Sequence, residues 1–372
     1  MKTLREMYES LTERQRWGLA GGLAAVLVVF VAVIIVAGGQ STGGTNTSVA
    51  QTSTTIATST TSGSTTSTTA AEPPTTPTAA ETWPLTGLDK PEESPLPPIV
   101  AVKIDNSTAS RPQEGLEQAD LVFDIPVEGG ISRLLALFQS RVPAEIGPVR
   151  SVREVDPKLL APFGAYVGYS GGVAAVVASI REVAVDLGDP NLGAIAYRRA
   201  PDRPALYDLM FNPEAALATV DDPTGVDGSW FSFGDNQAGE QARIVEIQSS
   251  ARHQVTYGYS AADGGYLRFH GSQPHESAAG EQIVAANVVV LVVELLETGR
   301  TDSSGTPVPD FEVRGSGEAI VFRDGTAIVG RWERGRLTDF FRLFDSSRQE
   351  INLAPGTTWI HLVPEGRTYE WR

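Results

Sequence analysis

Cysteine is absent from all 372 residues. That absence excludes disulfides, thiolate-bound metals, a cysteine nucleophile and an acylated cysteine anchor. Outside a cell, such a chain holds together by packing and hydrogen bonds alone. Histidine is nearly as scarce, with four residues. Only His270 and His275 lie close together, and Gly271 and Pro274 between them break any helical HExxH spacing. No metal or cofactor is therefore expected. Positive charge is also short, since 29 Lys and Arg face 45 Asp and Glu for a formal net charge of −16. A nucleic-acid partner is argued against, because such binding rests on neutralising phosphates.

One long segment has no charge at all. Gly18 to Gly39, "GLAGGLAAVLVVFVAVIIVAGG", is 22 uncharged and mostly apolar residues, enough to cross a hydrocarbon core of about 30 Å as a helix. A cleaved signal peptide is the competing reading, but the run is long for one and "IIVAGGQ" is a weak cleavage site. Lys2, Arg5, Arg14 and Arg16 precede the span, and no basic residue occurs between Gln40 and Thr82. The positive-inside rule then predicts a cytoplasmic tail over 1–17, a single membrane helix over 18–39 and an exported remainder.

Residues 40–83 read as a disordered stalk. Within 41–80, threonine fills 16 positions and serine 7, with prolines at 73, 74 and 77. So few apolar side chains do not offset the entropy of ordering. The tail holds four of the basic and three of the acidic residues, which leaves the exported part near −17.

The body predicts an α+β fold, an α/β lobe over 84–229 followed by a strand-rich lobe over 230–372. "IVAVKIDN" and "DLVFDIP" read as strands, and "GGISRLLALFQS" as a buried strand with a short helix as its rival. Asp156-Pro157 reads as a helix start, "VAAVVASIREVAV" as a buried helix and "FNPEAALATV" as a further helix. After Trp230 strand patterns dominate. The valine-rich "NVVVLVVELL" reads as a central strand, and Asp324-Gly325 as a hairpin turn.

The ordered string "RPQEGLEQADLVFDIPVEGGISRLLALFQS", followed by "IGPVRSVR", resembles the YerB-like family of bacterial extracytoplasmic proteins. "GSQPHE", "VFRDG" and "GTTWIHLVP" continue the likeness, which spans approximately 84–372. It implies a surface protein with an N-terminal and a distinct C-terminal domain, and it implies no reaction. Many relatives carry a lipobox cysteine where this chain has an apolar span. Relatives also tend to hold a His-Asn pair where Ala200 to Pro204 here reads "APDRP", with Asp202 and Arg203 in its place.

Arg111, Arg133, Arg150 and Arg153 are the leading ligand-binding candidates, because a guanidinium fork suits carboxylate or phosphate oxygens. Acids such as Asp105, Asp120, Asp124, Glu128 and Asp156 offer the other reading, an internal ion-pair network. Glu128 is a ligand-site candidate or general base if a substrate lies beside it, and an arginine-paired weak base otherwise. Ser170 in "GYSGG" satisfies G-x-S-x-G between a predicted strand and helix, which a tight glycine turn also explains. Asp120, His270 and His275 complete the secondary candidates. The sequence thus points to a membrane-anchored envelope protein binding a wall polymer, peptide or envelope protein. The alternative is an envelope hydrolase or transferase using Ser170 or Glu128. Nothing in it fixes an oligomeric state.

Overall fold

A computed structural model describes residues 81–372 apart from 92, 93 and 303. The predicted tail, membrane helix and nearly all of the stalk lie outside the described residues. Among the described residues, no helix is long and apolar enough to cross a membrane.

The first five strands are β1 (Val100–Asp105), β2 (Leu121–Pro126), β3 (Ser132–Phe138), β4 (Tyr166–Gly168) and β5 (Val185–Asp186). A small pair, β6 (Tyr197–Arg199) and β7 (Leu209–Phe211), forms its own antiparallel ribbon. Next come β8 (Glu240–Gln241), β9 (Ile244–Gln248), β10 (Gln254–Ser260), β11 (Gly265–His270), β12 (Gln273–Pro274) and β13 (Val284–Ala285). The chain closes with β14 (Asn287–Thr301), β15 (Pro307–Glu312), β16 (Gly315–Arg323), β17 (Thr326–Arg334), β18 (Arg342–Asp345), β19 (Thr358–Pro364) and β20 (Thr368–Trp371).

Most of these strands join one mixed sheet in the order β18-β17-β16-β14-β19-β2-β3-β1-β4-β5. Strand β19 lies parallel to both β14 and β2. One sheet therefore spans both sides of residue 229: β1 to β5 make one half, β14 and β16 to β19 the other, and the halves meet where β19 pairs with β2. A smaller sheet, ordered β12-β11-β10-β9-β20, packs on it.

Period-2 alternation explains how the layers form. Phe123, Leu135, Val289 and Leu291 face one core, shared with Val155 and Leu159 of helix α1 (Val155–Leu160) and Ile180 of helix α2 (Ala174–Val183). Val102, Val122, Leu134 and Val290 face the other, shared with Val245, Val255 and Tyr266 of the smaller sheet. With both faces covered, β1, β2 and β3 are buried along their whole length, and their few polar residues, Lys103, Asp105, Asp124, Ser132 and Arg133, are bonded inside the protein.

Two local expectations change. The helix expected to cap at Asp156 begins at Val155 and takes Asp156 inside its first turn, where Asp156 is buried and bonds both the Arg153 amide (2.6 Å) and Lys103 Nζ (2.7 Å). The valine-rich helix expected to be buried is α2, in which only Val176 and Ile180 are buried. It lies over one flank of the sheet, so a single stripe reaches the core. "GGISRLLALFQS" is a strand, β3, and the Asp324-Gly325 hairpin joins β16 to β17.

Candidate functional site

Glu128 follows the end of β2, and Gly129 and Gly130 (φ 76° and 71°) turn the chain back into β3. Left-handed backbone at two successive positions is cheap only for glycine. The turn leaves Glu128 facing Arg133, 3.4 Å away, and Arg153, whose Nε donates at 2.8 Å and whose Nη2 forms an ion pair with it. Burial works to raise the Glu128 pKa, but Arg153 and Arg133 outweigh it and hold the carboxyl below its ordinary value. It is therefore a weak base. Arg133 also donates to the Ser151 carbonyl (2.8 Å), and burial first, then Arg153, pulls its pKa down to about 10.

The segment "EIGPVRSVR" lies along the end of β1. The Asp105 amide donates to the Pro148 carbonyl at 2.9 Å, and the Arg150 amide to the Lys103 carbonyl at 2.8 Å. Arg150 Nε then sits 2.7 Å from the buried Asp105 carboxylate, its guanidinium 5.6 Å above the Tyr207 ring.

A second cluster lies deeper, where the two sheets meet, and contains all four histidines. Its centre is Asp124 on β2, fully buried, with Arg268 Nη2 from β11 at 2.6 Å and His253 Nε2 at 3.1 Å. The same guanidinium donates Nε to Tyr257 Oη (3.1 Å) and Nη1 to both His270 Nε2 (2.8 Å) and His275 Nδ1 (2.6 Å). It stacks 4.6 Å from the centre of the Trp359 ring.

Complementarity of donors and acceptors assigns the tautomers. His275 takes a bond on Nδ1, so its Nε2–H donates to Gln113 Oε1 (2.8 Å). Tyr257 accepts from Arg268 and donates to His361 Nε2 (2.8 Å), which turns the His361 Nδ1–H toward Asp124 at 3.7 Å. Burial first, and Arg268 second, hold the pKa values of His270 and His275 far below the ordinary histidine range. Burial likewise takes His361 down to about 3, against the pull of Asp124. Burial alone would raise the pKa of Asp124, but His253, His361 and Arg268 together hold it well below the usual carboxylate range.

Arg111 connects the two clusters. It is half-buried, donates Nη2 to the Asn106 carbonyl (2.7 Å), and has its pKa pulled down to about 10 by burial and by nearby Arg268. Asn106 donates to Ser132 Oγ (2.8 Å), which faces His253 Nδ1. Gln113 spans from His275 to the Asp105 carbonyl (3.0 Å). Among the described residues no carboxylate lies within ion-pair distance of Arg111. The joined network holds five guanidiniums, Arg111, Arg133, Arg150, Arg153 and Arg268, against three carboxylates, Asp105, Asp124 and Glu128. An acidic chain has concentrated a positive surplus in one place.

Residues 85–225 match the model described as "Protein of unknown function (DUF3048) N-terminal domain", and residues 245–360 match its C-terminal domain. The chain belongs to the DUF3048 family. YerB of Bacillus subtilis (strain 168), a candidate lipoprotein, is 25% identical over 298 residues, covering 76% of this chain and 86% of its own. The crystal structure of YerB from Bacillus subtilis superposes with a TM-score of 0.68 at 22% identity, covering 78% of this chain and 99% of that one. That likeness shows a shared fold.

Within this DUF3048 frame the candidate residues divide. Arg111, Glu128, Arg133, Arg150 and Arg153 lie in one network, and His270 and His275 in the connected cluster. Asp120 does not join them. It sits at the opposite end of β2 and is spent on the Gln139 amide (2.5 Å) and the Ser140 amide and hydroxyl, with burial raising its pKa. Ser170 does occupy a turn between β4 and α2. However, its amide and carbonyl bond Arg150 and Ser151, and among the described residues no histidine bonds its hydroxyl. Arg203, in the departing "APDRP", donates to the Ser110 and Pro112 carbonyls (3.1 and 2.6 Å) and so fixes the backbone on both sides of Arg111. The sequence pointed to Asp124 as an internal ion-pair acid, but it gave no sign of His253, Tyr257, Arg268 and His361 beside it. The scarcity of histidine was the one available signal, and nothing local said that all four converge.

Proposed function

We propose that this chain is a membrane-anchored, extracytoplasmic envelope protein that binds an anionic group at the partly exposed arginine rim of Arg111 and Arg150. The anion is a phosphate or carboxylate carried by a wall polymer, a peptide or another envelope protein. The surplus of guanidinium charge in the joined network carries the reading. Arg111 in particular is half-buried and bonded to a carbonyl rather than an acid. Desolvated guanidinium groups gain most from an oxyanion that reaches them. The apolar run 18–39 supports the anchor, and the candidate lipoprotein YerB supports an envelope setting.

The test uses the full chain in phospholipid nanodiscs. Inorganic phosphate, a polyol-phosphate polymer and peptides with free C-terminal carboxylates are titrated in turn, at two salt concentrations. Saturable binding that weakens with salt and drops about tenfold in Arg111→Gln is the expected outcome, the size of one charge-assisted hydrogen bond. No saturable binding by any of the three, with the fold intact by circular dichroism, overturns the proposal. Protease protection of the tail in oriented membranes checks the anchor separately.

A further inference from the structure

A cavity of about 650 Å³ opens where the segment Ser229–Ser232 passes the loop joining β17 to β18. One wall is aromatic and rigid. Trp230 is held by a bond from Nε1 to the Pro162 carbonyl (3.2 Å) and tilts against Phe163 at 5.2 Å, while Phe231 meets Phe340 edge-on at 4.8 Å. Trp230 and Phe340 are nearly buried and Phe231 is half-buried. The facing wall is polar, and its carboxylates Asp339 and Glu350 are paired. Arg342 pairs with Glu350 at 3.0 Å, and Asp339 pairs with Arg336 at 3.0 Å. The buried Arg334 donates to the carbonyls of Lys158, Leu337 and Asp339 (2.6, 2.6 and 2.8 Å).

We infer that this cavity is a saccharide site, separate from the arginine rim. Its volume is in the range of small-molecule sites and suits one or two sugar rings. The chemistry narrows the class. An anion finds the one buried guanidinium, Arg334, closed off from solvent with its donors already on carbonyls, and a cation finds Asp339 and Glu350 already paired. A purely apolar ligand desolvates the polar wall without bonding it. An uncharged polyhydroxylated ring meets neither obstacle. Its C–H face lies on the aromatic wall, and its vicinal hydroxyls exchange donors and acceptors with the paired Arg342 and Glu350, both of which reach solvent. The two sites together fit a ligand or lattice that carries sugars and anionic groups at once.

The experiment follows saturation-transfer NMR of N-acetylglucosamine, chitobiose and cellobiose with the full chain in phospholipid nanodiscs, which contain no glycoside. Saturable binding of at least one of these sugars is expected. It should fall about tenfold in Glu350→Gln, the equivalent of one lost hydrogen bond to a charged group. Phe231→Ala should remove the ring-face contacts. Arg111→Gln and added inorganic phosphate should leave the sugar affinity unchanged. The inference is overturned if none of the three sugars binds. It is overturned equally if binding survives both cavity substitutions, or if Arg111→Gln or phosphate abolishes it. Circular dichroism of each variant separates lost binding from lost fold, and Glu350→Gln at the exposed rim keeps the test open if Phe231→Ala unfolds.

Discussion

Asp124 and Arg268 show what one buried ion pair does when each partner comes from a different sheet. Both side chains are inaccessible, 2.6 Å apart, and Arg268 spends its remaining donors on Tyr257, His270 and His275. Removing one partner strands the other's charge in the interior. Arg268→Met is therefore expected to lower the unfolding free energy by about 3–5 kcal/mol, the usual cost of a broken buried pair. Adding Asp124→Asn to it should recover part of that loss. Urea denaturation of both variants checks this, and a double variant less stable than the single one contradicts the argument. The histidines add a pH dependence. His270, His275 and His361 have folded pKa values below the unfolded value of about 6.5. Between those limits the unfolded chain binds protons that the folded chain refuses, so stability falls as pH drops. Each such histidine contributes up to about 1.4 kcal/mol per pH unit. Asp124, also depressed, acts in the same direction but only below the ordinary carboxylate pKa of about 4. The urea midpoint should accordingly decline from pH 6.5 toward 4.5, and less steeply in His270→Asn. An unchanged slope in that variant would remove the histidines from the account.

At the scale of single elements, what the sequence states plainly is what short-range physics decides. Asp324 and Gly325 adopt φ values of 49° and 74° at the tip between β16 and β17, the geometry that the Asp-Gly pair favours. A Cβ on Gly325 would also approach Tyr259 Cδ1 to 2.9 Å. Gly325→Ala is expected to cost about 1–2 kcal/mol from backbone strain alone, and more if Tyr259 does not yield, as read from thermal unfolding. The valine run of β14 and the Asn212 cap, which accepts from the Ala215 amide at 2.8 Å, were legible for the same reason. The exposure of α2 was not. An apolar-rich helix reads as buried whether one flank or its whole circumference meets the core, and only the neighbours distinguish the two. The parallel pairing of β19 with β2 was also hidden, because Thr358 and Leu121 meet across more than half of the chain. The candidate site divides along the same line. The arginines and Glu128 cluster in sequence around two turns and could be named. Asp124, Arg268 and the distant histidines come together only once the two sheets are stacked.

For the molecule as a whole, the continuous sheet joins the residues before and after 229, and the two are expected to unfold as one cooperative body. Ladders join β19 to β2, Asp124 pairs with Arg268, Lys158 pairs with Asp310 at 2.7 Å, and the Thr357 hydroxyl bonds the Ala119 carbonyl at 3.0 Å. The covalent connection itself runs through exposed residues around Asp221 and Asp222, the latter left-handed at φ 47°. A protease site engineered between Asp222 and Pro223 should therefore be cut readily, yet the two fragments should stay together in native buffer. They should separate on size exclusion only in denaturant, and the uncut chain should unfold in a single transition by fluorescence and circular dichroism. The segment 84–229 expressed alone is expected to aggregate, because β2 would present an unpaired edge and Asp124 a buried charge without its arginine. Fragments that part in native buffer, or a soluble folded 84–229, would show that the two halves of the sheet hold themselves together independently. Association after cutting would mean that a ligand bridging the arginine rim and the aromatic cavity meets one rigid surface, with no hinge to close between them.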